Sequence, residues 1–468
     1  MHLVAVGGSD AGISAALRAR ELNPSTDVTV VVADSYPNFS ICGIPYYVSG
    51  EVTHWRNLAH RTIADLEATG MTLRLDSKAT RIDAAGHALL VVDKHGHEES
   101  LPYDAVVVGT GAVPVRPPIE GLTGDTALGR ADGVHLLHSM DDTFAIMRTL
   151  TDRAPARALI VGAGYVGLEM AEALIARGLA VTQIEQLPEV LPTVDPELGA
   201  LVHRQLTEHG VDVVCEARVT RIAAAPAGAS GRLEVHARKG DVDQTHFADV
   251  VMVVAGVRPD SELALAAGAE RGVRGTIAVD RQMRTNLPDV FAAGDCVTTH
   301  HRLLGDTYLP LGTTAHKQGR VAGENAIGGQ RTFAGSLGTQ VVKVFDMAAA
   351  RTGIRDREAL AAGFDPVTLG HEADDHKAYY PDSHRISMRF TGDRRTGRLL
   401  GVQLFGHRHA EVAKRIDIAA VAIHNNMTVE AISDLDLSYT PPLGSPWDAV
   451  QAGSQAWVRE ARVGSLGQ

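Results

Sequence analysis

Ala158-Leu159-Ile160-Val161-Gly162-Ala163-Gly164-Tyr165-Val166-Gly167 is an apolar run entering a Gly-x-Gly-x-x-Gly turn, and a helical pattern follows from Leu168 to Arg177. Strand, glycine turn and helix in that order read as the start of a dinucleotide-binding unit. The glycines let backbone approach a pyrophosphate, which then lies over a helix N-terminus. The next strand, Ala180-Val181-Thr182-Gln183-Ile184, ends at Glu185, close to the ~20-residue offset expected of a ribose-binding acid. A carboxylate there would accept from a 2′-hydroxyl and repel a 2′-phosphate, so NADH is expected over NADPH.

Working outward, the chain opens with a second, less regular copy. Leu3-Val4-Ala5-Val6 runs into Gly7-Gly8-Ser9-Asp10-Ala11-Gly12, with Ser9 in place of the middle glycine, and a helical pattern begins near Ile13. The strand Val28 to Val32 is followed by Asp34, which reads either as a ribose carboxylate or as a solvated turn aspartate. Val106-Val107-Val108-Gly109-Thr110-Gly111-Ala112 and Val290-Phe291-Ala292-Ala293-Gly294-Asp295 are buried-strand patterns ending in small residues. Backbone can approach a ligand at such ends, although either is also an ordinary exit from a strand. Together they suggest a flavin and a nicotinamide on one chain, in an α/β fold with two Rossmann-like units.

Between these landmarks lies Asn38-Phe39-Ser40-Ile41-Cys42-Gly43-Ile44-Pro45-Tyr46-Tyr47. Proline is tolerated in the first turn of a helix, so Cys42 is expected at a helix N-terminus. The dipole and free amides there would favour thiolate over thiol and make Cys42 nucleophilic. The alternative is a small buried residue, the common fate of a free cysteine.

Composition narrows the class. At 468 residues the chain exceeds one hydrophobic core, so two or three domains are expected. A net charge of −12 argues against nucleic acid or an anionic membrane as partner. The three cysteines, at 42, 215 and 296, are too few and too scattered for a disulfide framework or zinc-type spacing, which points to a reducing compartment. No run reaches the ~18 apolar residues of a membrane span, and Met1 leads straight into a strand without a signal-peptide pattern. A cytoplasmic protein is expected. The 21 histidines, including His300-His301 and His407-Arg408-His409, show no ligand pattern with carboxylate or cysteine, so no metal is expected.

These motifs resemble the flavin-dependent pyridine nucleotide–disulfide oxidoreductases, in the branch of CoA-disulfide reductases, NADH oxidases and NADH peroxidases. The likeness covers nearly the whole chain. It includes the Phe-x-x-Cys-Gly-x-Pro-Tyr run, Lys317-Gln318-Gly319-Arg320, Tyr439-Thr440-Pro441-Pro442 and Pro446-Trp447-Asp448. The resemblance implies that Gly7, Gly8, Gly12, Thr110, Gly111, Gly294 and Asp295 serve FAD. It implies that Gly162, Gly164, Gly167 and Glu185 hold the nicotinamide dinucleotide. Tyr165 would gate the nicotinamide pocket and Glu169 would lie near it, with an outward-facing helix glutamate as the alternative. Cys42 would be the redox centre, and Tyr439 would reach it from the partner subunit of a homodimer. The family's ribose glutamate would fall near Val32 rather than at Asp34. Many oxidases and peroxidases of this branch carry histidine where this chain has Asp10, which tilts the reading away from peroxide chemistry.

The resemblance further implies residues 1–112 and 256–330 as an FAD-binding domain and 113–255 as an NAD(P)H-binding domain. Residues 331–468 would form an α+β dimerisation domain. The leading expectation is NADH-dependent reduction of a small disulfide, persulfide or polysulfide, with CoA disulfide the first guess. Arg18, Arg20 and Arg61 would be candidates for CoA phosphates, or else solvated. An NADH oxidase passing electrons to oxygen through a Cys42 sulfenic acid is the second reading. A redox-sensing or electron-transfer flavoprotein is the third.

Overall fold

The computed structural model describes residues 1–124 and 127–466. β1 (His2–Val6) passes through the first glycine turn into α1 (Asp10–Leu22). It lies in a parallel sheet with β2 (Asp27–Val31), β3 (Thr72–Arg74) and β4 (Ala105–Val108), in the order β4-β1-β2-β3. A short helix, α2 (Ile44–Ser49), leaves this sheet between β2 and β3.

The second unit repeats the plan. β5 (Val134–Leu136), β6 (Arg157–Val161), α3 (Tyr165–Ala176), β7 (Ala180–Ile184), α4 (Pro196–Glu208), β8 (Val211–Val214) and β9 (Val250–Val253) follow in the chain. The strands pair in parallel as β8-β7-β6-β9-β5. The chain then returns to the first sheet, where β10 (Val290–Ala292) pairs with β4 and α5 (Gly312–Ala326) packs on α1. Both sheets therefore have one order, and each takes its edge strand from outside its own βαβ core. The central strands β4 and β9 are buried along their whole length, as expected for parallel sheets covered on both faces.

The rest is antiparallel. β11 (Gln340–Val344), β12 (Met347–Gly353), β13 (Pro366–Asp374), β14 (Arg385–Asp393) and β15 (Leu399–His407) pair in the order β11-β12-β15-β14-β13. α6 (Val412–His424) packs on this sheet, and α7 (Ala449–Leu466) packs against β13 and β14. The fold is thus the α/β architecture with a C-terminal α+β unit that the sequence suggests.

One apolar cluster ties the three units together. It joins Ile44 and Val48 of α2, Leu168 and Ala171 of α3, and Val342, Val344 and Phe405 of the C-terminal sheet. Polar bonds reinforce it. Arg351 donates to Thr193 O (2.7 Å), and Arg355 donates to Pro192 O (2.9 Å) and Val194 O (2.8 Å). Arg389 pairs with Asp195 at 2.7 Å, and both arginines at 351 and 355 pair with Glu358. Burial alone would raise the Glu358 carboxyl, but the two guanidinium groups and the Arg355 N–H hold it down to about 2. No helix among the described residues is long and apolar enough to cross a membrane.

Candidate active site

The two glycine turns are built alike. Gly7 N–H donates to Val31 O (2.9 Å) and Gly162 N–H to Ile184 O (2.8 Å), each with φ above +100°. A Cβ on Gly12 would lie 2.1 Å from Gly7 O, and one on Gly167 would lie 2.2 Å from Gly162 O. Both turns are therefore closed to any side chain at their first and last glycines. The middle glycine differs: a Cβ on Gly164 would meet nothing within 4 Å. That openness explains how Ser9 stands at the matching position of the first turn without disturbing it. A cradle this tight in backbone and open on its outer side fits a pyrophosphate.

The acids after the second strands have separate fates. Glu185 is 6% exposed; its Oε2 accepts from Ala163 N–H (2.8 Å) and its Oε1 from Leu187 N–H (2.9 Å). The carboxylate braces the turn, with lone pairs left for ribose hydroxyls. In the first unit the matching place belongs to Val32, whose side chain lies where a Cβ on Gly8 would point. Asp34 stands two residues further on and accepts from Tyr36 N–H (2.8 Å), the bond of a turn aspartate.

Cys42 lies in a single 3-10 turn, Ile41–Gly43, that runs directly into α2, with Pro45 in the helix's first turn. The helix-start expectation holds for the backbone but not for the thiol. Cys42 is exposed, yet it sits amid protein that pushes its thiol pKa up, and Glu169, Asp10 and Asp295 push it further. Six helical residues supply little dipole, and burial, with three carboxylates of the wrong sign added to it, outweighs that dipole. The other thiols are differently placed. Cys296 is fully buried, with its thiol pushed up to about 11, and faces the carbonyls of Val108 and Ala293. Cys215 lies in the second unit.

Beside Cys42, α2 packs on α3. Tyr46 OH donates to Glu169 Oε1 (3.3 Å), and burial pushes the Glu169 carboxyl up to about 7. Tyr165 lies one helical turn before Glu169, with burial raising its phenol to about 12 and Thr193 Oγ1 donating to its OH (3.4 Å). Tyr46 was legible only as part of the cysteine run; its pairing with Glu169 across two units has no local signature.

On the first sheet's other side, Gln318 on α5 accepts from Gly294 N–H (2.9 Å) and donates to Thr299 Oγ1 (3.1 Å), which fixes the turn before Asp295. Burial and the Asp10 charge raise the Asp295 carboxyl to about 6, and no ion pair among the described residues engages it. Such a carboxylate fits the hydroxyls of a ribityl chain. Thr110 Oγ1 donates to Asp260 O, and Gly111, at φ +74°, faces open space. His316, also on α5, places Nε2 3.3 Å from Asp10 Oδ1 and Nδ1 2.9 Å from Ser14 Oγ. An imidazole from α5 thus stands against Asp10 of the first turn.

Tyr439 is 45% exposed and shares a hydrogen bond with Tyr379, itself 74% exposed. Leu443 and Trp447 are also exposed nearby in the chain, giving an aromatic and apolar stretch on the C-terminal unit. Two candidate phosphate ligands are committed elsewhere. Arg18 pairs with Glu324 (2.6 Å) and Glu21 (3.0 Å), and Arg20 donates to the carbonyls of Thr69, Pro24 and Thr26. Arg61 is exposed.

Residues 1–319 match the family described as pyridine nucleotide-disulphide oxidoreductase, and residues 339–449 match its dimerisation domain. The chain is 34% identical over 448 residues to an NAD(P)H sulfur oxidoreductase (CoA-dependent) of Pyrococcus abyssi, covering 95% of this chain and 96% of that one. It is 30% identical to an NADH oxidase of Methanocaldococcus jannaschii, covering 95% of each. Among solved structures, a NAD-dependent persulfide reductase from A. fulgidus superposes with a TM-score of 0.91 at 36% identity, covering 99% of this chain and 84% of that chain.

Proposed function

The chain belongs to the pyridine nucleotide-disulphide oxidoreductases, and on that premise we propose that it reduces a small disulfide, persulfide or polysulfide with electrons from NADH, through Cys42. The observation that carries this reading is the position of the one exposed cysteine: it stands beside α3 of the second unit and within the electrostatic reach of Asp10 and Asp295 of the first. The relatives named for sulfur and persulfide chemistry support the substrate class. CoA as the thiol carrier rests on the relative's name and remains part of the proposal.

FAD in the first turn would accept the hydride of NADH and pass two electrons to sulfur. The chain's residues do the rest. Cys42, as thiolate, attacks one sulfur of the substrate disulfide; the S–S bond breaks, and the leaving thiolate takes a proton. Two electrons then cleave the mixed disulfide, releasing a second thiol and restoring Cys42. The sum is NADH, a proton and one disulfide giving NAD⁺ and two thiols. Glu169, near half-protonated at neutral pH and electrostatically coupled to Cys42, would hold that proton.

The active form is a homodimer in the cytoplasm. Its division into 1–112, 113–255, 256–330 and 331–468 belongs to the same proposal, with residues 125–126 and 467–468 outside the described residues. The exposed Tyr439 stretch supports a site completed by the partner subunit. Coexpressing a Cys42→Ser chain with a Tyr439→Phe chain tests both ideas. Mixed dimers should regain disulfide reduction that neither homodimer has. A fully active Tyr439→Phe homodimer would sink the shared site, and a Cys42→Ser protein that still reduces CoA disulfide would sink the reading itself.

Oxygen as acceptor is the second reading. The Asp10–His316 pair favours it by bringing an imidazole to the first turn, and the relative named NADH oxidase agrees with it. Oxygen uptake matching NADH consumption, without added disulfide, would decide for it.

A further inference from the structure

Away from Cys42, one set of metal-ligating side chains converges among the described residues. The donor atoms of Glu189, His203 and Cys215 all lie within 4.8 Å of one another. They come from three separate places: the loop after β7, the helix α4, and the exit of β8. His203 Nδ1 is 3.2 Å from Glu189 Oε2, 3.3 Å from Glu189 Oε1 and 4.0 Å from Cys215 Sγ. One ring nitrogen carries at most one hydrogen, so it cannot satisfy both neighbours as a donor. Three donors facing one point is the geometry of ligands.

The spacing suits a particular class of ion. With Zn–S of about 2.3 Å and Zn–N or Zn–O of about 2.1 Å, tetrahedral donors stand roughly 3.4–3.6 Å apart. The observed separations, from 3.2 Å to within 4.8 Å, bracket that value. A thiolate, an imidazole and a carboxylate match zinc, whereas magnesium and calcium take all-oxygen sets.

The backbone around the cysteine is already fixed. Glu185 N–H donates to Val214 O (2.9 Å), Glu216 N–H to Leu187 O (3.0 Å) and Ala217 N–H to Glu185 O (2.9 Å). Cys215 is 7% exposed, while the side chains of His203 and Glu189 are 29% and 26% exposed, so an ion can enter from solvent on their side.

We propose that Glu189, His203 and Cys215 form a zinc-class site, with water as fourth ligand, that pins the loop following Glu185 to α4 and β8. As the sulfur–metal bond forms, the thiol proton leaves to solvent, and no electrons are exchanged. Ligands 14 and 12 residues apart on unlike elements form no recognised spacing, which is why the sequence led to the expectation of no metal. The competing arrangement is a Glu189–His203 ion pair beside an idle thiol.

Cobalt(II) separates the two. The full-length protein carrying Cys42→Ser, which removes the exposed thiol, is stripped with a chelator and titrated with Co²⁺. One equivalent per chain should give tetrahedral d–d bands to the red of the flavin absorption, and Zn²⁺ should displace them. Adding Cys215→Ser should abolish the bands, and His203→Ala or Glu189→Gln should weaken binding by about tenfold or more. Zn²⁺ should also raise the thermal midpoint of the Cys42→Ser protein but not of the Cys42→Ser/Cys215→Ser protein. Absence of bands at stoichiometric Co²⁺, or unchanged bands in the Cys215→Ser protein, overturns the proposal. If Cys215→Ser does not fold, unchanged binding in both other variants overturns it equally.

Discussion

Replacing Glu185 with alanine should weaken the fold before it alters cofactor choice. The carboxylate accepts from two backbone N–H groups, at 2.8 and 2.9 Å. One belongs to Ala163, which is 0% exposed, so its N–H would be left unpaired inside the turn. A hydrogen bond to a charged group contributes about 1.5–3 kcal/mol when one partner is buried, and the bond to exposed Leu187 adds about 0.5–1 kcal/mol. The loss comes to roughly 2–4 kcal/mol. For a unit of this size each kcal/mol moves the midpoint by about 2–4 °C, so a drop of roughly 5–15 °C is expected. Glu185→Gln keeps one acceptor oxygen and should lose about half as much. Calorimetry of both variants measures this, and titration with NADH and NADPH on the same samples should show the preference for NADH narrowing. An alanine variant within about 0.5 kcal/mol of wild type would refute the bracing role, since surface changes alone stay inside that margin.

Other outcomes follow from the groups around the thiol. Glu169 has a folded pKa of about 7, above its ordinary value of 4.5, so the folded chain holds that proton more tightly than the unfolded one. Its contribution is fully present below pH 4.5 and is lost as pH rises towards 7; relative to Glu169→Gln, the wild type should lose up to about 3 kcal/mol across that window in denaturant titrations. A flat difference would contradict it. Alkylation of Cys42 in the flavin-free protein should have a midpoint above that of an ordinary thiol, and Glu169→Gln should bring the midpoint down. A midpoint below neutrality would show that the helix start governs after all. Gln318→Leu should loosen the Gly294–Asp295 turn and lower flavin retention on dialysis while leaving far-UV circular dichroism unchanged; full retention would refute the link.

The glycine turns were legible because their demand on the chain is local: five or six consecutive residues fix the backbone, and neighbours confirm it. The strand–turn–helix succession was legible for the same reason, twice over. What stayed hidden is contact between distant segments. His316 beside Asp10, Tyr46 against Glu169 and the ion pairs of Arg18 depend on which helices meet, and nothing near those residues signals it. The thiol's environment was misread for a related reason. A helix start can be seen in Gly43-Ile44-Pro45, but the burial that raises the thiol is tertiary, and the carboxylates that add to it come from positions 169, 10 and 295.

The arginines at 351 and 355 hold the segment 192–194 by its carbonyl oxygens, and Thr193 in turn touches the Tyr165 hydroxyl. Carbonyls are blind to side-chain identity, so this grip on residues 192–194 depends on their backbone path, while the Thr193 hydroxyl and the buried Val194 side chain answer to other contacts. Transplanting a foreign nucleotide unit into this chain, to change its electron donor, would succeed or fail on backbone shape at that segment rather than on sequence similarity. Modular as the architecture looks, its parts are exchangeable only where this bracket still closes.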